Sequence, residues 1–108
     1  MTEITLCSPE ELRQKMTSGE KICLVDVREV EEHEAERISG SFNFPLSHFK
    51  EHLSSIPKSE PIYLLCRLGG RASQAAHYLG EIGYPSVQVV AGGLESWKEK
   101  GYPVEGHR

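Results

Sequence analysis

Cys66 heads the run Cys66-Arg67-Leu68-Gly69-Gly70-Arg71, which follows the apolar segment 62–65 and precedes an alanine-rich stretch. A cysteine at the end of a strand, before a glycine-containing loop and a helix, has the parts of a nucleophile site. Backbone N–H groups of such a loop can turn inward around the sulfur, and the helix that follows adds its positive end. Both favour the thiolate, the form that attacks sulfur. Gly69 and Gly70 permit positive φ and let backbone approach a ligand closely. Arg67 and Arg71 offer charge and planar donors suited to an oxyanion, so a small anionic sulfur donor such as thiosulfate fits the arrangement. The competing reading makes Cys66 a small buried apolar residue ending a strand, with the glycines serving a turn. The strand, two glycines, two arginines and helix together weigh against it.

Such a loop must be held by a sheet. Ile22 to Val27 and Ile62 to Cys66 are nearly continuous apolar runs of strand length, as expected for central strands covered on both faces. Ile4-Thr5-Leu6, Ser41 to Phe44 and Val87 to Val90 read as three shorter strands. Between them, Ser8-Pro9-Glu10-Glu11 opens a helix through a capping box and ends near Ser18-Gly19. Residues 29–36 and 46–54 suggest short helices, and 94–100 a last one ending at Gly101. Ala72, Ala75, Ala76, Leu79 and Ile82 share one face of a helix stopped by Gly83. The repeated β-α-β order implies an α/β fold, with a mainly parallel sheet of about five strands flanked by helices in three layers. The expected organisation is one domain over residues 1–108.

Composition narrows the function classes. The 108 residues are 38% hydrophobic and 26% charged with a net charge of −4, ordinary for a folded domain and unlike a disordered chain. No basic stripe recommends nucleic acid as a partner, and no apolar run approaches the ~20 residues of a membrane span. Residues 1–12 lack a basic start followed by an apolar run, so no secretory leader is expected. Cys7, Cys23 and Cys66 are odd in number and widely spaced, without zinc-type spacing. Reduced thiols in a cytoplasmic setting are therefore expected, with Cys7 and Cys23 structural. Among the histidines only His48 and His52 are four apart on a predicted helix, with no third ligand indicated, so surface positions are expected and no metal. The carboxylates Glu29, Glu31, Glu32, Glu34 and Glu36 read as a solvated face.

Four ordered motifs resemble rhodanese-like sulfurtransferases over essentially the whole chain. Asp26-Val27-Arg28-Glu29 is similar to the family's D-V-R-E element, and 38–45 (ISGSFNFP) to its I-x-G-A-x-N-x-P segment. The run 66–71 matches the active-site loop, and Gly92-Gly93-Leu94-Glu95-Ser96-Trp97 with 101–104 matches the C-terminal signature. The resemblance implies a three-layer rhodanese sandwich and a persulfide-forming nucleophile at Cys66. It also implies that residues 67–71 bind the sulfane sulfur and its leaving group, and that Asp26 and Arg28 brace the site through an ion pair. Gly92, Gly93 and Trp97 are expected to pack the fold. Two departures stand out. Glu36-Arg37 replaces the usual Gly-His, so a positive-φ turn is absent or strained there and Arg37 is expected to face water. His33 replaces an aromatic.

The implied chemistry is a double displacement without metal or organic cofactor. A sulfane sulfur passes from thiosulfate to Cys66 and then to cyanide, a cellular thiol or a sulfur-carrier protein. A carrier or binding module with little turnover is the non-enzymatic alternative. A cysteine phosphatase or arsenate reductase is the enzymatic one, disfavoured because its C-x5-R loop is one residue longer than the C-x4-R run here.

Overall fold

In the computed structural model, residues 3–106 are described, with the side chain of Glu3 excepted; His107 lies outside them. Five strands form one sheet: β1 (Glu3–Cys7), β2 (Cys23–Asp26), β3 (Phe42–Asn43), β4 (Ile62–Leu65) and β5 (Ser86–Val90). Their order is β1-β5-β4-β2-β3 and every pairing is parallel. The helices are α1 (Pro9–Thr17), α2 (Val30–Ala35), α3 (Gly70–Glu81) and α4 (Gly93–Glu99).

The continuous apolar runs are explained by burial on both faces, since every residue of β2 and β4 is buried. Side chains alternate across a strand, so each run divides between two cores. Cys23, Val25, Ile62, Leu64, Cys66, Val87 and Val89 pack with the alanine face of α3 and with Phe49. Leu24, Tyr63, Leu65, Cys7 and Val90 pack with Leu12 of α1 and with Leu94 and Trp97 of α4. The result is the expected α/β sandwich, with the strand ends that precede α2, α3 and α4 on one edge.

The start of α1 is as read. Glu11 N–H donates to Ser8 Oγ at 3.1 Å and Ser8 N–H to the Glu11 carboxylate at 2.9 Å. Residues 46–54 differ. Leu46–Ser55 is 3-10 rather than α-helical and is kinked at His48, with Phe49 its only buried residue. Leu46 and Leu53 pack beside Phe49 on the α3-side core, half-buried. His48 and His52 do not share a metal-ligating face: His48 Nδ1 lies 3.0 Å from Ser47 Oγ, and the His52 ring stacks on Phe44 at 4.6 Å. Cys7 does not follow β1 but ends it, buried.

The acidic stretch 29–36 is not a merely solvated face. Glu29 accepts from Ser47 Oγ, Glu32 from Arg71, and Glu36 from Lys98 Nζ at 2.7 Å. Glu36 has φ −163° and ψ 131°, extended backbone open to any residue, so the expected turn is absent rather than strained. Arg37 does not simply face water, since its Nε lies 3.4 Å from Glu105.

Two contacts hold the loop end of the sheet. Asp26 is fully buried and takes Arg28 Nε at 3.0 Å and Nη2 at 2.7 Å; Arg28, also buried, donates a further bond to the Glu36 carbonyl. The second contact joins Gly93, at φ +60°, to the Cys66 loop: a Cβ on Gly93 would overlap the carbonyl oxygens of Cys66 and Arg67. These backbones meet because Leu94 N–H donates to Cys66 O at 2.8 Å and Glu95 N–H to Arg67 O at 3.2 Å.

Gly93→Ala is therefore expected to cost about 2 kcal/mol or more, combining a left-handed backbone with an overlap onto main chain that cannot retreat. Arg28→Met is expected to cost about 3 kcal/mol, because it leaves the Asp26 carboxylate buried without its partner. Urea unfolding midpoints check both. A loss under about 0.5 kcal/mol in either variant would contradict the corresponding contact's role.

Candidate active site

Cys66 is the first residue beyond β4 and points into the α3 side of the sheet, 1% exposed. The chain then reverses at Gly69, whose φ of +122° is open to glycine and strained for other residues. That reversal swings the Gly69 N–H onto Cys66 Sγ at 2.9 Å, and the Ala72 N–H approaches the same sulfur at 3.4 Å. Ala72 lies in the first turn of α3, where backbone donors have no partner within the helix. The sulfur thus occupies a nest of main-chain N–H groups, a place for a thiolate or for the negative sulfur of a persulfide.

The loop's glycines have different tasks. Gly69 makes the positive-φ reversal, whereas Gly70 begins α3 without one. Leu68 lies 65% exposed in the loop. The two loop arginines, read as offering charge and planar donors to an oxyanion, both have carboxylate partners. Arg71 Nη1 and Nη2 grip the Glu32 carboxylate at 2.7 and 3.1 Å. Arg67 Nε lies 3.8 Å from Glu95 in a loose, exposed pair. Asp26 ends the neighbouring strand β2 with Arg28 two residues beyond it, and the Val27 N–H donates to Leu65 O at 2.8 Å just before the loop.

Sequence reasoning missed Glu32 and Ala72. Ala72 has a readable signal, being the third residue of a helix that starts at Gly70. Glu32 has none, because its partner is 39 residues away in sequence. The remaining cysteines are poor nucleophiles. Burial, with Glu11 adding to it, pushes the Cys7 thiol up to about 11, and burial beside Glu60 does the same for Cys23. Burial also pushes the pKa of His33 down; its Nε2 lies 3.1 Å from Ser41 Oγ. Among the described residues no helix is long and apolar enough to cross a membrane.

The Arg71 guanidinium holds the Glu32 carboxyl down at about 2, against an ordinary 4.5. A carboxyl depressed by folding contributes stability that is present above about pH 4.5 and lost as pH falls towards 2. Both partners are about a third exposed, so solvent screening limits the contribution to about 1 kcal/mol or less. Glu32→Gln should flatten this part of the acid dependence of the urea midpoint. An unchanged slope between pH 4.5 and 2 would show that the pair does not form.

Residues 8–100 match the family described as Rhodanese-like domain. Thiosulfate sulfurtransferase GlpE of Actinobacillus succinogenes is 32% identical over 104 residues, covering 96% of this chain and 90% of that protein. The Bacillus subtilis protein named "Putative sulfur carrier protein YrkF" is 32% identical over 93 residues, 86% of this chain; the match spans half of that relative's length. The crystal structure of a rhodanese-related protein from Thermoplasma volcanium superposes with a TM-score of 0.84 at 28% identity, covering 94% of this chain and 97% of that one. With a superposable fold and matches across nearly its whole length, the chain belongs to the rhodanese-like domain family of sulfurtransferases and sulfur carriers.

Proposed function

We propose that the protein is a thiosulfate sulfurtransferase in which Cys66 carries the transferred sulfur as a persulfide. The observation that carries this reading is the convergence of the Gly69 and Ala72 N–H groups on Cys66 Sγ. The Cys66 thiolate forms a bond to the outer sulfur of thiosulfate. The donor's S–S bond breaks, and sulfite leaves with its electron pair. The charge of −3 on the reactants is retained by the persulfide and sulfite. An acceptor nucleophile, cyanide or a thiol, then attacks the terminal sulfur and returns Cys66 as thiolate.

Preorganised main-chain donors stabilise the sulfur anion without reorganising during the step. Arg67, Leu68, Gly69, Gly70 and Arg71 frame the donor, while Asp26 and Arg28 support the loop from the neighbouring strand. No metal or organic cofactor enters this scheme. Reduced thiols suit a cytoplasmic protein. The burial of Cys66 favours a donor whose reacting atom is slim enough to enter the loop, which a sulfane sulfur is and a phosphate ester is not. The exposed Leu68 suits a protein acceptor, and the sulfur-carrier name of the Bacillus relative points the same way.

Incubating the reduced protein with thiosulfate should add the mass of one sulfur to the wild type and none to Cys66→Ser. Cyanide should discharge that sulfur as thiocyanate. A wild type that gains no sulfur, or a Cys66→Ser variant that gains as much, overturns the reading.

A further inference from the structure

The acidic partners around the Cys66 loop carry the strongest additional signal. Three arginines stand at this end of the sheet, and each has a carboxylate: Arg28 with Asp26, Arg67 with Glu95, and Arg71 with Glu32. The Asp26 pair is buried and serves the fold. The Glu95 pair, at 3.8 Å and largely exposed, leaves Arg67 loosely held. The Glu32 pair is different. It is bidentate, and it bridges α2 to the first turn of α3, where the next residue, Ala72, turns its N–H toward Cys66 Sγ at 3.4 Å.

We propose that Glu32 is a specificity-determining residue: by occupying two donors of Arg71 it withholds that cation from doubly charged sulfur donors. The inference rests on the sulfurtransferase reading above. Thiosulfate would bring two negative charges to a loop whose Arg71 is already paired with the Glu32 carboxylate. A donor with a single charge, such as a persulfide or an organic thiosulfonate, loses less from this arrangement because electrostatic attraction scales with the donor's charge. Glu32 thus tilts the site away from thiosulfate and towards monoanionic sulfane donors, while thiosulfate remains a substrate.

Glu32→Gln tests this with little other change. The Gln side-chain oxygen can still accept the Glu29 N–H, which lies 2.9 Å from Glu32 Oε1. Single-turnover loading of Cys66 would be followed by intact mass with two donors, the thiosulfate dianion and the benzenethiosulfonate monoanion. Each donates its outer sulfur to the Cys66 thiolate and leaves with an electron pair, as sulfite and benzenesulfinate respectively. The variant should load from thiosulfate about three- to tenfold faster than wild type at low salt, and from benzenethiosulfonate by a smaller factor. The thiosulfate gain should shrink as ionic strength rises, and adding Arg71→Gln should abolish it. Glu32→Ala, measured in parallel, should show the same ordering and guards against a folding defect peculiar to Gln.

If both folded variants load no faster than wild type, or load slower, the pair serves to order the loop and the proposal is overturned. Equal acceleration for both donors, with no salt dependence, overturns it as well. Loading in none of the proteins from either donor defeats the sulfurtransferase reading itself, and this one with it.

Discussion

Main-chain N–H groups reach the Cys66 sulfur only because the chain reverses at Gly69 and immediately enters α3. The packing of α3 on the sheet and the start of α4 keep that reversal in place. The alanine face of α3 lies flat on the sheet, which brings its first turn down to the level of the β4 terminus. The carbonyls of Cys66 and Arg67 are turned the other way and taken by the start of α4. The loop thus gives the Gly69 N–H to the sulfur and two of its carbonyls to a neighbouring helix.

Around this backbone core the charges are arranged in layers of differing solvation. The fully buried Asp26 and its arginine tie β2 to the carbonyl of Glu36, stiffening the wall beside the loop. Further out, Glu32 and Arg71 are partly wet and join α2 to α3. At the rim, Arg67 and Glu95 are exposed and weakly coupled. Coulombic interactions strengthen as water is excluded, so the inner pair governs shape and the outer ones influence what approaches.

The parts of this architecture that are legible in sequence are those determined by local pattern. The doubly buried strands β2 and β4 are readable because both cores need apolar residues, and α3 because its small residues recur on one face. Cys66 is readable because strand, glycines and helix occur in that order along the chain. What is not legible depends on distant partners. Nothing near Glu32 announces Arg71, and nothing near Arg37 announces Glu105. The 3-10 character of Leu46–Ser55 also escapes, because Leu46, Phe49 and Leu53 have the spacing of an amphipathic helix and nothing in that pattern announces the kink at His48. Gly69 and Gly70 look equivalent in sequence, yet one makes the reversal and the other is an ordinary first helical residue.

The sheet order has a consequence for how the molecule is assembled during synthesis. β1, the first strand of the sheet in chain order, finds its neighbour only in β5, with Glu3 opposite Ser86 and Cys7 opposite Val90. Pairings so remote in sequence are slow to form because a long loop must close first. The loop around Cys66 likewise lacks its support until residues 93–95 have emerged and taken its carbonyls. A nascent chain that already contains the cysteine therefore does not yet contain the supported loop, and nucleophile and fold mature together only after residues 93–95 have been made.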